Sequence, residues 1–324
     1  MQLGELKKWM RGVQIILMTP FNKDGSLDLE GMRANIRWLL ERTTGKDFIF
    51  TPTGSSGEFY AMSDDEGKAV IKMVVEEVKG QNVVIVGAGR AATRETIKMC
   101  QYAESVGADG AMVIVPYYHI PTEEGMYQHY KQVAGSLGKD FGIQVYNNPF
   151  VSGSWIKPPL MARLSKIPNI IAVKECTPYI MSYYAMQRTV DPKDTVIIGG
   201  SSELLFSFQA VYGCPGFIST LANFMPDLSY SLYKAAAARD FNEVAELVDS
   251  LAPWASFTDK VAANHGPDTH TGGETEEYMG LAVIKASMDI VGLRGGEVRL
   301  PLVGLNEEEK AELRDVLRTM KVIK

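Results

Sequence analysis

Cysteine is scarce in this sequence: three in 324 residues (Cys100, Cys176 and Cys214), far apart and without metal-ligand spacing. So sparse and odd a set excludes a disulfide framework and fits reduced thiols in a cytoplasmic protein. The opening "MQLGELKKWMRGV" lacks the apolar core of a signal peptide, and no apolar run approaches the length of a membrane span. There is no block of like charge either. The formal net charge is -6 with acids and bases interspersed, so neither nucleic acid nor a membrane surface is an expected partner. What remains, 46% hydrophobic and 22% charged, is the composition of a globular protein with ample core.

Short β-branched runs alternate with helix-period segments. Strands are predicted at 13–18, 48–53, 83–88, 110–115, 142–146, 170–174, 195–200 and 216–220. Between them lie helical stretches, one opening on Ser63 with Glu66 at capping-box spacing and another on Thr93. Eight near-continuous apolar strands separated by helices imply a parallel sheet covered on both faces. Eight such units fit a closed (β/α)8 barrel of about 250 residues better than an open doubly wound sheet, which would need a switch point. The pattern divides the chain into a barrel over 1–240 and a C-terminal helical region over 241–324, with helices at 241–263, 275–291 and 306–320.

In a barrel, chemistry sits at the C-terminal ends of the strands. Two strands end there on reactive side chains: "IQVYNNP" on Tyr146 and "IIAVKECT" on Lys174. A lysine ending an interior-patterned strand is either a snorkelling surface residue or an amine kept partly unprotonated by burial. In the second case it can attack a carbonyl and form an imine, with the phenol from the neighbouring strand carrying protons. The turn "TPTGSSGEFY" can aim amides and hydroxyls at a carboxylate. No Walker lysine follows, so a phosphate loop is disfavoured. "VGAGRAA" formally matches a dinucleotide fingerprint, but Asp109 precedes the next strand instead of ending it, so the motif reads as a tight turn and NAD is rejected. His265, Asp268, His270 and Glu274 share one polar loop, but nothing fixes their geometry for a metal.

Together, "GSSGE" (54–58), "PYYHIPTEEG" (116–125), "VYNNP" (145–149), "AVKECT" (172–177), "GFISTLAN" (216–223) and "GGEVRLPLVGL" (295–305) resemble the dihydrodipicolinate synthase / N-acetylneuraminate lyase group of Schiff-base, pyruvate-dependent lyases. The resemblance runs over nearly the whole chain. It implies a barrel with C-terminal helices, a homotetramer built from tight dimers, and no cofactor beyond the covalent imine on Lys174. By the same resemblance Tyr146 is the proton-relay tyrosine. Gly54, Ser55 and Ser56 hold the carboxylate of a 2-oxo acid, with Ser56 in the relay beside Tyr146. Tyr118 reaches across a subunit interface to complete that relay, and the Ile218 backbone lies near the bound oxo acid.

Two positions depart from the synthase pattern. Val151 stands where synthases carry an arginine that grips the carboxylate of the semialdehyde partner, and valine cannot supply that contact. Gly200 and Ser201 replace an acidic pair. The expectation is a Schiff-base lyase of the aldolase type acting on a 2-oxo acid such as pyruvate with an aldehyde partner. Its rivals are dihydrodipicolinate synthase itself, a dehydratase or deaminase using the same imine, and a non-catalytic 2-oxo acid binding barrel.

Overall fold

A computed structural model describes residues 1–177, 179–266 and 277–324. Its eight parallel strands are β1 (Gly12–Ile16), β2 (Phe48–Thr51), β3 (Val83–Gly87), β4 (Gly110–Ile114), β5 (Gly142–Asn147), β6 (Ile170–Glu175), β7 (Val196–Gly199) and β8 (Gly216–Ser219). They close in sequential order, with β8 back on β1, into a (β/α)8 barrel. Apart from Val196, every strand residue is buried, which is why the strands read as continuous apolar runs and not as alternations. At the seam Gly12 faces Gly216, and a Cβ on Gly216 would lie 2.5 Å from the Gly12 nitrogen. Only glycine lets the first and last strands approach this closely. Inside, Gln14 donates to Thr51 and exchanges hydrogen bonds of 2.8 and 2.9 Å with Gln144. This polar strut spans from β1 to β5, and it is stable in the core because its members satisfy one another.

Helices cover the barrel. α1 (Leu3–Trp9) precedes β1; α2 (Leu29–Thr43), α3 (Asp64–Val78), α4 (Thr93–Ser105) and α5 (Glu123–Gly135) follow β1 to β4. The short α6 (Pro149–Ser152) and α7 (Pro158–Leu164) follow β5. α8 (Ile180–Thr189), α9 (Glu203–Val211) and α10 (Pro226–Ala238) follow β6 to β8. The C-terminal region contains α11 (Phe241–Asp249), α12 (Ala252–Asn264), α13 (Glu277–Ile290) and α14 (Glu307–Thr319). The single helix expected over 241–263 is therefore two. Pro253 in the first turn of α12 cannot donate a backbone hydrogen bond, so it starts a new helix and cannot continue the old one. Ser63 caps α3 in the expected capping box. The cap of α4, however, is Ala92, and the Thr93 hydroxyl lies 2.9 Å from His129 Nδ1 instead.

The largest apolar cluster fills the barrel and its helix layer. A second joins α12, α13 and α14 to Met18, Leu221, Phe224 and Met225 beyond the ends of β1 and β8. Asn223 fastens that junction, donating to the Ile16 carbonyl (2.8 Å) and accepting from the Met18 amide (3.2 Å). Among the described residues no helix is long and apolar enough to cross a membrane.

Candidate active site

Tyr146 and Lys174 lie near the C-terminal ends of β5 and β6, at the mouth of the barrel. β5 and β6 pair in register so that Tyr146 stands directly beside Lys174. Both are almost wholly shielded, at 4% and 5% exposure, and the Lys174 amine lies 3.8 Å from the centre of the Tyr146 ring. Beside Tyr146 opens a cavity lined by Thr53, Gly54, Ser55, Met112, Ile114 and Tyr146, with Gly87 and Gly89 at its edge. The two edge glycines belong to the "VGAGRAA" turn, and a Cβ on Gly87 would fall 1.9 Å from the Thr53 carbonyl oxygen. Backbone packing leaves no room for a side chain at either glycine.

The phenol oxygen of Tyr146 accepts from Ser55 Oγ at 3.4 Å and from Asn148 Nδ2 at 3.1 Å. The first is long for an O–H···O bond. Ser55, not Ser56, is thus the turn serine whose hydroxyl reaches the tyrosine; Ser56 is half-buried on the same turn. A Cβ on Gly54 would lie 2.7 Å from Ile16 Cγ2, so the turn sits flat against the mouth. Ile218 is buried on β8. Ser201 lies on the loop after β7, its hydroxyl 3.5 Å from the Cys176 carbonyl, and a Cβ on Gly200 would meet Cys176 Sγ at 2.2 Å. Val151 lies on α6 at 47% exposure. Tyr118 points away from this chain at 89% exposure, with a left-handed backbone (φ 77°). His265 Nε2 lies 3.1 Å from Glu309 Oε1; Asp268, His270 and Glu274 of the same polar loop lie outside the described residues.

Two further side chains shape the site. Asn148 caps α6, accepting from the Phe150 amide at 3.0 Å while its amide holds the Tyr146 phenol. The Asn-Pro step in "YNNP" is an N-cap followed by an N1 proline, a signal present in the sequence. Glu175, directly after the lysine, is fully buried on the outer face of β6. It accepts from Asn147 Nδ2 (2.8 Å) and from the Thr177 amide (3.1 Å), tying the ends of β5 and β6 together. Burial pushes its carboxyl above the ordinary range, against the pull of those donors.

The family model described as "Dihydrodipicolinate synthetase family" matches residues 9–265. A 4-hydroxy-tetrahydrodipicolinate synthase from Methanothrix thermoacetophila is 32% identical over 312 residues, covering 96% of this chain and 97% of the relative. One from Archaeoglobus fulgidus is also 32% identical, covering 96% and 99%. The crystal structure of dihydrodipicolinate synthase from Aquifex aeolicus superposes with a TM-score of 0.82 at 29% identity, covering 97% of this chain and 99% of that one.

Proposed function

This chain belongs to the dihydrodipicolinate synthetase family, a family of lyases, and we propose that within it Lys174 forms a Schiff base with a 2-oxo acid such as pyruvate. The observation that carries this reading is the shielded amine of Lys174 packed 3.8 Å from the ring of Tyr146, which lines a cavity together with Ser55. The Lys174 amine attacks the ketone carbon and gives a carbinolamine. Tyr146 protonates the departing hydroxyl, which leaves as water, and an iminium remains. Loss of a proton from the adjacent methyl gives an enamine. Addition of that carbon to an aldehyde forms the new carbon–carbon bond, and hydrolysis of the iminium frees the lysine; cleavage runs through the same steps in reverse. The iminium is the electron sink, so the chain's own lysine supplies the covalent chemistry. Gly54, Ser55 and Ser56 hold the oxo acid carboxylate, and the relay runs from Tyr146 to Ser55, whose hydroxyl is the one in reach. Ile218 backs the bound acid, while Ser201 and Val151 border the space for the second substrate.

A second reading, synthesis from pyruvate and aspartate semialdehyde, is supported by the names of the relatives. Val151 weighs against it, because an exposed valine offers a carboxylate no charge-assisted partner.

We also propose that the chain self-associates as a dimer of dimers in a reducing cytoplasm. The exposed Tyr118 and an apolar face on α8 and α9 support the assembly, and three buried cysteines in no disulfide support the compartment. The main test is incubation with pyruvate and borohydride followed by peptide mass analysis. A reduced pyruvyl adduct is expected on the Lys174 peptide; a folded sample left unmodified there sinks the imine.

A further inference from the structure

The substrate-facing turn is braced from behind. Glu58 closes that turn with a left-handed backbone (φ 58°, ψ 38°), although it is neither glycine nor asparagine. Such a conformation costs about 1–2 kcal/mol and persists only where the surroundings fix it. The fixing groups come from the far end of the chain. The buried Lys285 amine on α13 forms an ion pair with Glu58 Oε1, and the Arg299 amide donates to Oε2 at 2.9 Å. Lys285 also donates to the Glu297 carbonyl at 2.6 Å. The Arg299 guanidinium donates to the Ala61 carbonyl (2.7 Å) and to Glu66 Oε1 (2.6 Å) at the start of α3. Both cations lie over the Phe21 ring, at 4.5 Å for Lys285 and 4.0 Å for Arg299. On its other side, the Glu58 amide donates to the Ser55 carbonyl at 2.9 Å. One continuous path therefore runs from Lys285 and Arg299 through Glu58 to Ser55, and from Ser55 Oγ to the Tyr146 phenol.

We propose that Glu58 and Lys285 are positioning residues for the oxo acid: the C-terminal segment holds the Ser55–Ser56 turn in its carboxylate-binding shape. This inference rests on the Schiff-base reading of the site. A pair this deeply buried is weak evidence of net stabilisation, because removing two charges from water offsets their attraction. Its role is better explained by what it holds in place. The pair touches no reacting atom, so losing it shifts the turn, and with it the Ser55 hydroxyl, while the amine keeps its place on β6.

The test compares borohydride trapping of pyruvate in the wild type, Glu58→Gln and Lys285→Met, each well below its melting temperature. The pyruvate concentration giving half-maximal trapping should rise roughly 10-fold or more in both variants. The trapping rate at saturation should fall by a smaller factor, carried by the Ser55 contact to the phenol. Unchanged half-saturation with only a lowered melting temperature would make the pair merely structural and overturn the inference. Should either variant fail to fold, amide hydrogen exchange on the wild type decides. Linkage requires pyruvate to slow exchange at Arg299, whose amide binds Glu58, together with exchange at Glu58 itself. Slowing at Glu58 alone refutes the brace. Absence of any wild-type trapping instead removes the Schiff-base reading, and the inference falls with it.

Discussion

The Tyr146 phenol oxygen accepts from Ser55 and Asn148, which orients the ring against Lys174. Tyr146→Phe keeps the packing and deletes the proposed proton carrier. It should slow imine formation by about 10²- to 10⁴-fold with little change in melting temperature, read as the rate of borohydride-trapped adduct. A second residue makes a prediction about pH. His129 is buried on α5, and burial pushes its pKa down to about 4. In the unfolded chain it titrates near 6.5. Between those values the unfolded state holds the proton and the folded state does not, so stability is lost as pH falls from about 6.5 to about 4. The loss should reach roughly 3 kcal/mol at the lower end. Melting temperatures of the wild type and His129→Gln across that window should diverge, the variant's profile being flatter; parallel profiles would exclude His129 as the source. The adjoining positions of Lys174 and Tyr146 were legible in the sequence because each ends an apolar run abruptly. The choice of Ser55 over Ser56 as the phenol's partner was not, since adjacent serines on one turn differ only in where the backbone aims them. Lys285 left a faint signal, a lone lysine in the apolar stretch "GLAVIKASM", but its meaning lies in Glu58, more than two hundred residues earlier.

Elements were legible where a local rule decides them. Ser63 and Asn306 cap α3 and α14 through complete capping boxes, a pattern contained within four residues. Thr93 misleads because its hydroxyl has a tertiary alternative in His129, which no local rule reveals. The join between β5 and β6 belongs to the same class. Asn147 Nδ2 donates both to Glu175 and to the Ile156 carbonyl, and Asn147 Oδ1 accepts from the Ile156 amide at 2.9 Å. One side chain thereby fixes the ends of the two strands that carry the phenol and the amine. Asn147→Ala leaves a buried carboxylate and a backbone pair without these partners. A destabilisation of about 1–3 kcal/mol is expected in denaturant unfolding, with a drop in trapping rate because Tyr146 and Lys174 lose their common register. Full activity in a destabilised Asn147→Ala protein would show that the amide serves only the fold.

At the scale of the whole molecule, two surfaces remain unexplained by one chain. Met181 and Tyr184 on α8 and Leu204, Phe208 and Val211 on α9, with Tyr212 beside them, form a broad exposed apolar face. Large patches of this kind mark interaction sites on otherwise ordinary surfaces. Phe208→Glu should shift the protein to a smaller species in sedimentation while leaving pyruvate trapping intact; an unchanged species distribution would remove this face from the assembly. The other surface is Tyr118, displayed at the barrel mouth in a left-handed conformation that only surrounding contacts would maintain. In a two-fold dimer each chain offers the other the same patch, so a tyrosine lent to the partner is lent in both directions. This makes the proposed relay testable by mixing. A Lys174→Ala chain has no nucleophile but keeps Tyr118, whereas a Tyr118→Phe chain keeps its lysine and lacks the donated phenol. If Tyr118 acts on its own chain, no pairing of these two chains contains a complete site. If it acts across the interface, each mixed dimer holds one complete site. Statistical exchange at equal amounts then restores about one quarter of the wild-type activity from two nearly inactive parents. Recovery near that level, appearing only after subunit exchange, is the expected outcome, and activity that stays at the parental sum would assign Tyr118 to its own chain.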